Sequence, residues 1–474
     1  MKQYKLQRHL KERHLSMIAI GGSIGTGLFL ASGSAIYKSG FGGALLAFLL
    51  IGLMIYFLMI NLGEMSAKLP VAGSFNNYCG RFIDPALGFA MSYNYWFNWA
   101  ITIAVNLTAA SLLMKFWYPQ VNIIYWCLLF FILILCLNLT SVRYYGESEY
   151  WLSLIKIIAI IAFIVVGFLL ITNFIPTNID IKQNIFGGDA PFHNGLLVFV
   201  STLMIAGFAF QGTETFGIAA AETKNPAKSI TKAVRKIFWR ILLFYIFSIA
   251  LIGCIIPYSN PHLLNEKSSI IFSPFTMIFN LAGMKHATAI MNIVVLISVL
   301  SAANASMYTA SRTLWYIAKN GQAHKCLAKI NKHGIPILAL LLTSAIGALT
   351  FFSYFFHHGA FFIWLINISA LSGFIAWFGI LLSHYRFRKL CQIKKLKIID
   401  LPYKAKFYPF SFWFSFILLI FIIIGQQFFA IIYDHSNISN LIATYIGLPI
   451  FFLLFIIYKF KYKTKLVDLN NCEL

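Results

Sequence analysis

The chain has 474 residues, 60% of them hydrophobic and only 11% charged, with a formal charge of +23. Soluble globular domains run at roughly 45–50% apolar and about 25% charged, so this is no string of water-soluble domains and most of its surface must face lipid. The placement of the 37 Lys and Arg residues turns the charge away from a nucleic-acid reading: 31 fall on one side of the predicted membrane, five on the other (Lys38, Lys115, Lys182, Lys267, Lys285), and Lys156 lies inside a span. That asymmetry marks the cytoplasmic side and assigns both termini to it.

Taken in chain order, residues 1–14 are a basic cytoplasmic tail. The apolar stretch that follows runs past 20 residues without a small-residue cleavage site, so it reads as a membrane span and not as a signal peptide. Cutting at every charged residue leaves uncharged stretches at 15–37, 39–63, 85–114, 116–142, 157–179, 190–213, 241–265, 286–311, 333–385, 407–433 and 435–458. Each reaches the ~20 residues that cross ~30 Å of hydrocarbon as a helix. The stretch 333–385 is long enough for two spans turning near His357, His358 and Gly359, which makes twelve. Residues 268–284 are too short to span and read as a surface or re-entrant helix. No alternating ten-residue pattern of barrel strands is present. The fold class is therefore all-α and polytopic.

The first span carries Gly21-Gly22-Ser23-Ile24-Gly25-Thr26-Gly27. Span six carries Gly207-Phe208-Ala209-Phe210-Gln211-Gly212-Thr213-Glu214. Helices are interrupted at membrane depth only where the freed backbone faces protein or a water-filled cavity, so both segments are candidate sites. They are corresponding members of two halves of five spans each, 15–173 and 190–385, which predicts inverted repeats with paired broken helices. Residues 407–458 hold spans eleven and twelve, and 459–474 form a cytoplasmic tail. Glycine clusters also let unbroken helices pack closely, the alternative for either segment alone.

A half-helix restarting near Ser23, Gly25, Thr26 and Gly27 presents N–H groups and a positive dipole end to a substrate carboxylate. Carbonyls around Phe208 and Phe210 offer acceptors for an ammonium, so the pair suits a zwitterion. Ionisable residues inside spans are functional candidates by default: Glu214, Glu222 and Lys156, with Glu64 near the end of span two. Glu64 and Glu222 have an equal alternative as interfacial carboxylates answering Lys68 or Lys224, and Lys156 could instead snorkel to the cytoplasmic surface. Tyr95 and Trp99, i and i+4 in span three, share a face and could line a cavity or meet a cation. The seven cysteines and eleven histidines show no disulfide framework, CxxC or HExxH spacing, and no phosphate loop or nucleophile elbow is present. No cofactor, metal or enzymatic chemistry is expected.

Segments Arg13–Gly33 (RHLSMIAIGGSIGTGLFLASG), Asn94–Val105, Ser141–Ile157, Gly207–Glu222, Ala233–Tyr245 and Phe374–Arg388 together resemble the proton-coupled amino acid permeases of the amino acid/polyamine/organocation superfamily. The similarity is greatest to the lysine-specific branch. The resemblance implies ten core helices plus two with spans one and six broken, carboxylate binding at Ser23, Gly25, Thr26 and Gly27, and an amine near the span-six carbonyls. It assigns transport roles to Tyr95, Trp99, Lys156, Glu214 and Glu222, with proton coupling at Lys156, Glu214 and Glu222. It further implies L-lysine symport across a bacterial inner membrane. Arginine, ornithine or a neutral amino acid remain alternative substrates, because Asn106 stands where the lysine branch has an aspartate, and a non-transporting sensor is an alternative role.

Overall fold

A computed structural model describes residues 24–71, 74–139, 142–177, 179–215, 217, 226–263, 273–356, 358–397, 401–433 and 444–472. Gly21, Gly22, Ser23 and Glu222 lie outside the described residues.

The described residues form helices and no strands: α1 (Gly27–Lys68), α2 (Ser74–Phe82), α3 (Pro85–Leu113), α4 (Ile123–Asn138), α5 (Val142–Ile171), α6 (Ile181–Phe186) and α7 (Gly195–Phe210) in the first part. Then come α8 (Pro226–Arg240, continued to Ile255), α9 (Pro274–Leu281), α10 (Lys285–Lys319), α11 (Ile337–Gly347), α12 (His358–Ile393), α13 (Phe410–Tyr433) and α14 (Gly447–Tyr462). Among the described residues, seven helices are long and apolar enough to cross a membrane, and α4, Val198–Phe210 and Phe410–Gly425 are shorter apolar helices. Gly40, at φ 73° and ψ −179°, breaks α1 into the two stretches that the charge pattern separates. Residues 274–281, read from sequence as too short to span, are the short helix α9.

The polarity of this bundle is inverted relative to a water-soluble one. Leu129, Ile132 and Leu133 of α4 and Ile158, Ile161 and Val165 of α5 point outward, whereas Asn98, Asn106, Glu149, Lys156, Ser301 and Asn304 are buried. Lipid tails are as apolar as leucine, so helix association rests on close packing and interhelical hydrogen bonds. Helix α3 is wrapped by α10, α12 and α14, and α1 runs along α7 and α8. Small residues allow the tightest crossings. A Cβ on Gly27 would lie 2.3 Å from the Ala209 Cα, and one on Gly88 2.7 Å from the Gly80 Cα.

At the end that the Lys/Arg asymmetry assigns to the cytoplasm, the segment after α14 straps across the α2–α3 junction. Asp84 caps α3, accepting from the Ala86 N–H at 2.8 Å, and also takes Lys459 Nζ at 2.6 Å and Thr464 Oγ1 at 2.8 Å. The Val467 N–H donates to Ile83 O at 2.8 Å, Arg386 donates to Val467 O and Phe82 O, and Lys394 Nζ reaches Asn470 O at 2.9 Å. Burial alone would raise the Asp84 carboxyl, but the Lys459 ammonium, the Ala86 N–H and the Thr464 hydroxyl hold it below the usual carboxylate range. A depressed folded value contributes stability above the unfolded pKa of about 3.9 and loses it as pH falls through the lower folded value. Asp84→Ala is therefore expected to cost about 0.5–2 kcal/mol through the lost cap. The ion pair adds little, since the Lys459 side chain is 42% exposed. The same variant should speed tryptic cleavage at Lys463 and Lys465. Unchanged cleavage would mean that the strap is held without Asp84.

Candidate functional site

The described part of the first span opens at Ile24, and the helix starts at Gly25–Gly27 with a wide turn of π-helix over Gly27–Ala31. The Phe29 N–H donates to Gly25 O at 3.1 Å, the first bond of that helix. Every residue from Ile24 to Ala31 is buried, so the positive end of the described helix lies inside the bundle. Thr26 Oγ1 donates to Asn106 Oδ1 of α3 at 2.5 Å, and Asn106 Nδ2 donates to Thr102 O at 2.8 Å.

Helix α7 stays regular through Phe210 and breaks just beyond it. Gln211 is extended (φ −58°, ψ 150°), Gly212 takes φ 87°, and 211–214 form turns. The sequence expectation had the unwound part begin at Gly207. That glycine instead serves packing, because a Cβ there would lie 2.3 Å from Phe374 Cζ of α12. Gly212 is the position where the chain needs a glycine's freedom. The carbonyls expected to face an ammonium have partners in this conformation. Phe208 O accepts the Gln211 N–H at 3.2 Å, Phe210 O accepts Thr213 Oγ1 at 2.6 Å, and Ala209 O accepts the Tyr245 hydroxyl at 3.0 Å.

A polar chain joins the start of α1 to the break after α7 across α3 and α12. The Ser369 hydroxyl lies 2.8 Å from Thr102 Oγ1, 3.0 Å from Asn98 Oδ1 and 3.1 Å from Gln211 Oε1, and Gln211 Nε2 donates to Ser369 O at 2.8 Å. Glu214 follows, 1% exposed. Its carboxylate accepts Trp377 Nε1 and the Gly212 N–H, both at 3.3 Å. Tyr95 faces Glu214 within electrostatic reach and meets Trp99 edge-to-face at 6.1 Å between centroids. The Tyr95 hydroxyl is buried with Trp99 and Glu214 as its polar neighbours.

Three groups were not singled out from sequence. Arg240, assigned by charge counting to a cytoplasmic segment, is 2% exposed. Its Nη2 donates to Thr213 Oγ1 at 2.7 Å beside Glu214. Glu149 is 1% exposed and accepts Ser301 Oγ at 2.9 Å and Asn304 Nδ2 at 3.2 Å from α10. His384 and Arg388 of α12 hold Glu64 at 2.6 and 2.8 Å. Glu64 thus answers His384 and Arg388 of α12, and Lys224 lies outside the described residues. Lys156 is 0% exposed, which removes the snorkelling alternative. The structure brings together Gly25, Thr26, Gly27, Tyr95, Trp99, Phe208, Phe210 and Glu214, and sets Lys156 on α5 with Glu149 in its electrostatic surroundings.

Comparison with known proteins agrees with this architecture. The amino acid permease family profile matches residues 14–471. The lysine-specific permease LysP of Escherichia coli is 48% identical, covering 96% of this chain and 93% of the relative. LysP of Lactococcus lactis is 46% identical over 99% of this chain and 93% of its own, and the histidine permease HisP of the same species is 44% identical over 100% and 98%. Crystal structures of an Eremococcus coleocola manganese transporter superpose with a TM-score of 0.55 at 12% identity (95% of this chain, 94% of that one) and, for a single-substitution mutant of the same transporter, 0.57 at 13%. They share the fold alone. With its apolar spanning helices and a match that runs nearly end to end, this chain is a multi-pass membrane protein and belongs to the amino acid permease family.

Proposed function

We propose that the protein imports a cationic amino acid, L-lysine, together with a proton, by alternating access across a bacterial inner membrane with both termini in the cytoplasm. The observation that carries the reading is the buried helix start at Gly25–Gly27 set against Ala209, just before the break that follows α7, beside the buried Glu214 carboxylate and its neighbours Tyr95 and Trp99. In this reading the carboxylate of the substrate lies on the N–H groups around Ser23, Gly25, Thr26 and Gly27. Its ammonium lies toward Phe208, Phe210 and Glu214, with Tyr95 and Trp99 as the wall. Opening of the Gln211–Glu214 turns would free carbonyls now occupied. The twelve spans and the inverted repeats 15–173 and 190–385 belong to the same proposal, as do proton roles for Lys156, Glu214 and Glu222. The relatives named for lysine at 48% and 46% identity support the substrate.

A second reading has an observation of its own. Asn106 is neutral and hydrogen-bonded to Thr26, and a relative named for histidine is 44% identical, which favours a substrate with an uncharged side chain. Radiolabelled lysine uptake into proteoliposomes, with and without an inward-acid gradient, tests the first reading, and competition by arginine, ornithine and histidine separates the two. No accumulation of lysine under the gradient would sink the lysine reading. Lys156→Ala is expected to abolish the stimulation by the gradient while changing lysine binding, measured by scintillation proximity, less than about tenfold. Gradient-stimulated uptake that survives the substitution would remove Lys156 from the coupling.

A further inference from the structure

Helix α5 places Glu149, Ser153 and Lys156 at i, i+4 and i+7, one face of a helix, and all three are buried. The carboxylate is clamped from α10 by Ser301 and Asn304, and Asn304 Oδ1 in turn accepts Asn138 Nδ2 of α4 at 2.8 Å. Ser153 lies between the two along the helix, its hydroxyl with no hydrogen-bond partner among the described residues. Glu149 and Lys156 each lie within electrostatic reach of the other. The same turn of α10 touches the first-span break: a Cβ on Gly25 would lie 2.9 Å from the Ala302 Cβ. Residues 301–304 thus face Glu149 on one side and the helix restart on the other.

We propose that Glu149 is the positioning residue for the coupled proton: a counter-ion of Lys156 on the same helix face, whose hold on that proton is tied by residues 301–304 to the conformation of the first-span helix start at Gly25–Gly27. A carboxylate opposite an ammonium favours its charged form, and hydrogen bonds that hold the carboxylate ionised strengthen the effect. When α10 shifts relative to α5, the two donors leave Glu149, its charge is less well supported, and the proton on Lys156 is released more readily. Movement at the restart that binds substrate is in this way transmitted to the proton site through one turn of α10. The inference rests on the proposed proton-coupled uptake.

The test uses full-length protein in proteoliposomes and measures lysine uptake against external pH. Without the carboxylate, Lys156 requires more acid to stay charged. Glu149→Gln should therefore move the midpoint of the uptake profile to lower pH by about one unit or more, a change of about tenfold in proton affinity. Glu149→Asp should recover most of the wild-type profile. Ser301→Ala, which removes one donor, should shift it in the same direction by less, and it serves as the readout if Glu149→Gln does not fold. Profiles of Glu149→Gln or, failing that, Ser301→Ala that overlay the wild type would overturn the proposal. Absence of gradient-driven lysine uptake by the wild type would instead count against the function on which it rests.

Discussion

Glu214→Gln is expected to lower lysine uptake by at least about 100-fold, equivalent to about 3 kcal/mol, the cost of removing one partner from a buried charged arrangement. The amide keeps the size of the side chain, but Trp377 Nε1 and the Gly212 N–H donate to separate carboxylate oxygens, so the amide can accept from only one of them. What it loses is the negative charge, on which both Arg240 and an incoming ammonium would draw. Size-exclusion behaviour and thermal unfolding of the purified variant separate loss of transport from loss of fold. A well-folded variant with uptake within a few-fold of the wild type would show that the charge of Glu214 plays no part.

The second large effect is structural. Glu64→Gln should destabilise the protein by about 3–5 kcal/mol, because it leaves Arg388 and His384 buried without their shared carboxylate. Arg388 has few alternatives. It already donates to Ala405 O at 3.2 Å and stacks over the Tyr408 ring at 4.6 Å, so it cannot swing out to water without dismantling the segment before α13. Thermal unfolding in detergent measures the loss. A transition temperature unchanged from the wild type would mean that the cluster contributes no net stability, as some buried ion pairs do not.

Several elements of the site were legible in the sequence, each through its own physics. Four glycines in seven residues marked the expected first-span interruption, and the described helix starts at Gly25–Gly27 within them, while Gly21 to Ser23 lie outside the described residues. In span six the break lies four residues further on, because a glycine inside a transmembrane helix can serve a neighbour's ring as well as an unwinding. Gly207 does the former against Phe374, and Gly212 the latter. Glu149 and Arg240 escaped notice for a common reason. Dividing the chain at its charges assumes that charge stays outside, and a charged side chain enclosed by helices violates that assumption. The partners of Glu64 lie more than 300 residues away, and no local pattern announces such a pairing.

The crossing of Gly27 over Ala209 leaves no space for a side chain between two backbones. So close an approach of two backbones is the natural rivet for a relative rotation, and each residue beyond it lengthens the lever by ~1.5 Å. A small rotation at the rivet therefore swings the far tips widely while whatever lies beside it scarcely travels. Cargo seated there would see the doors exchange around it without itself being carried.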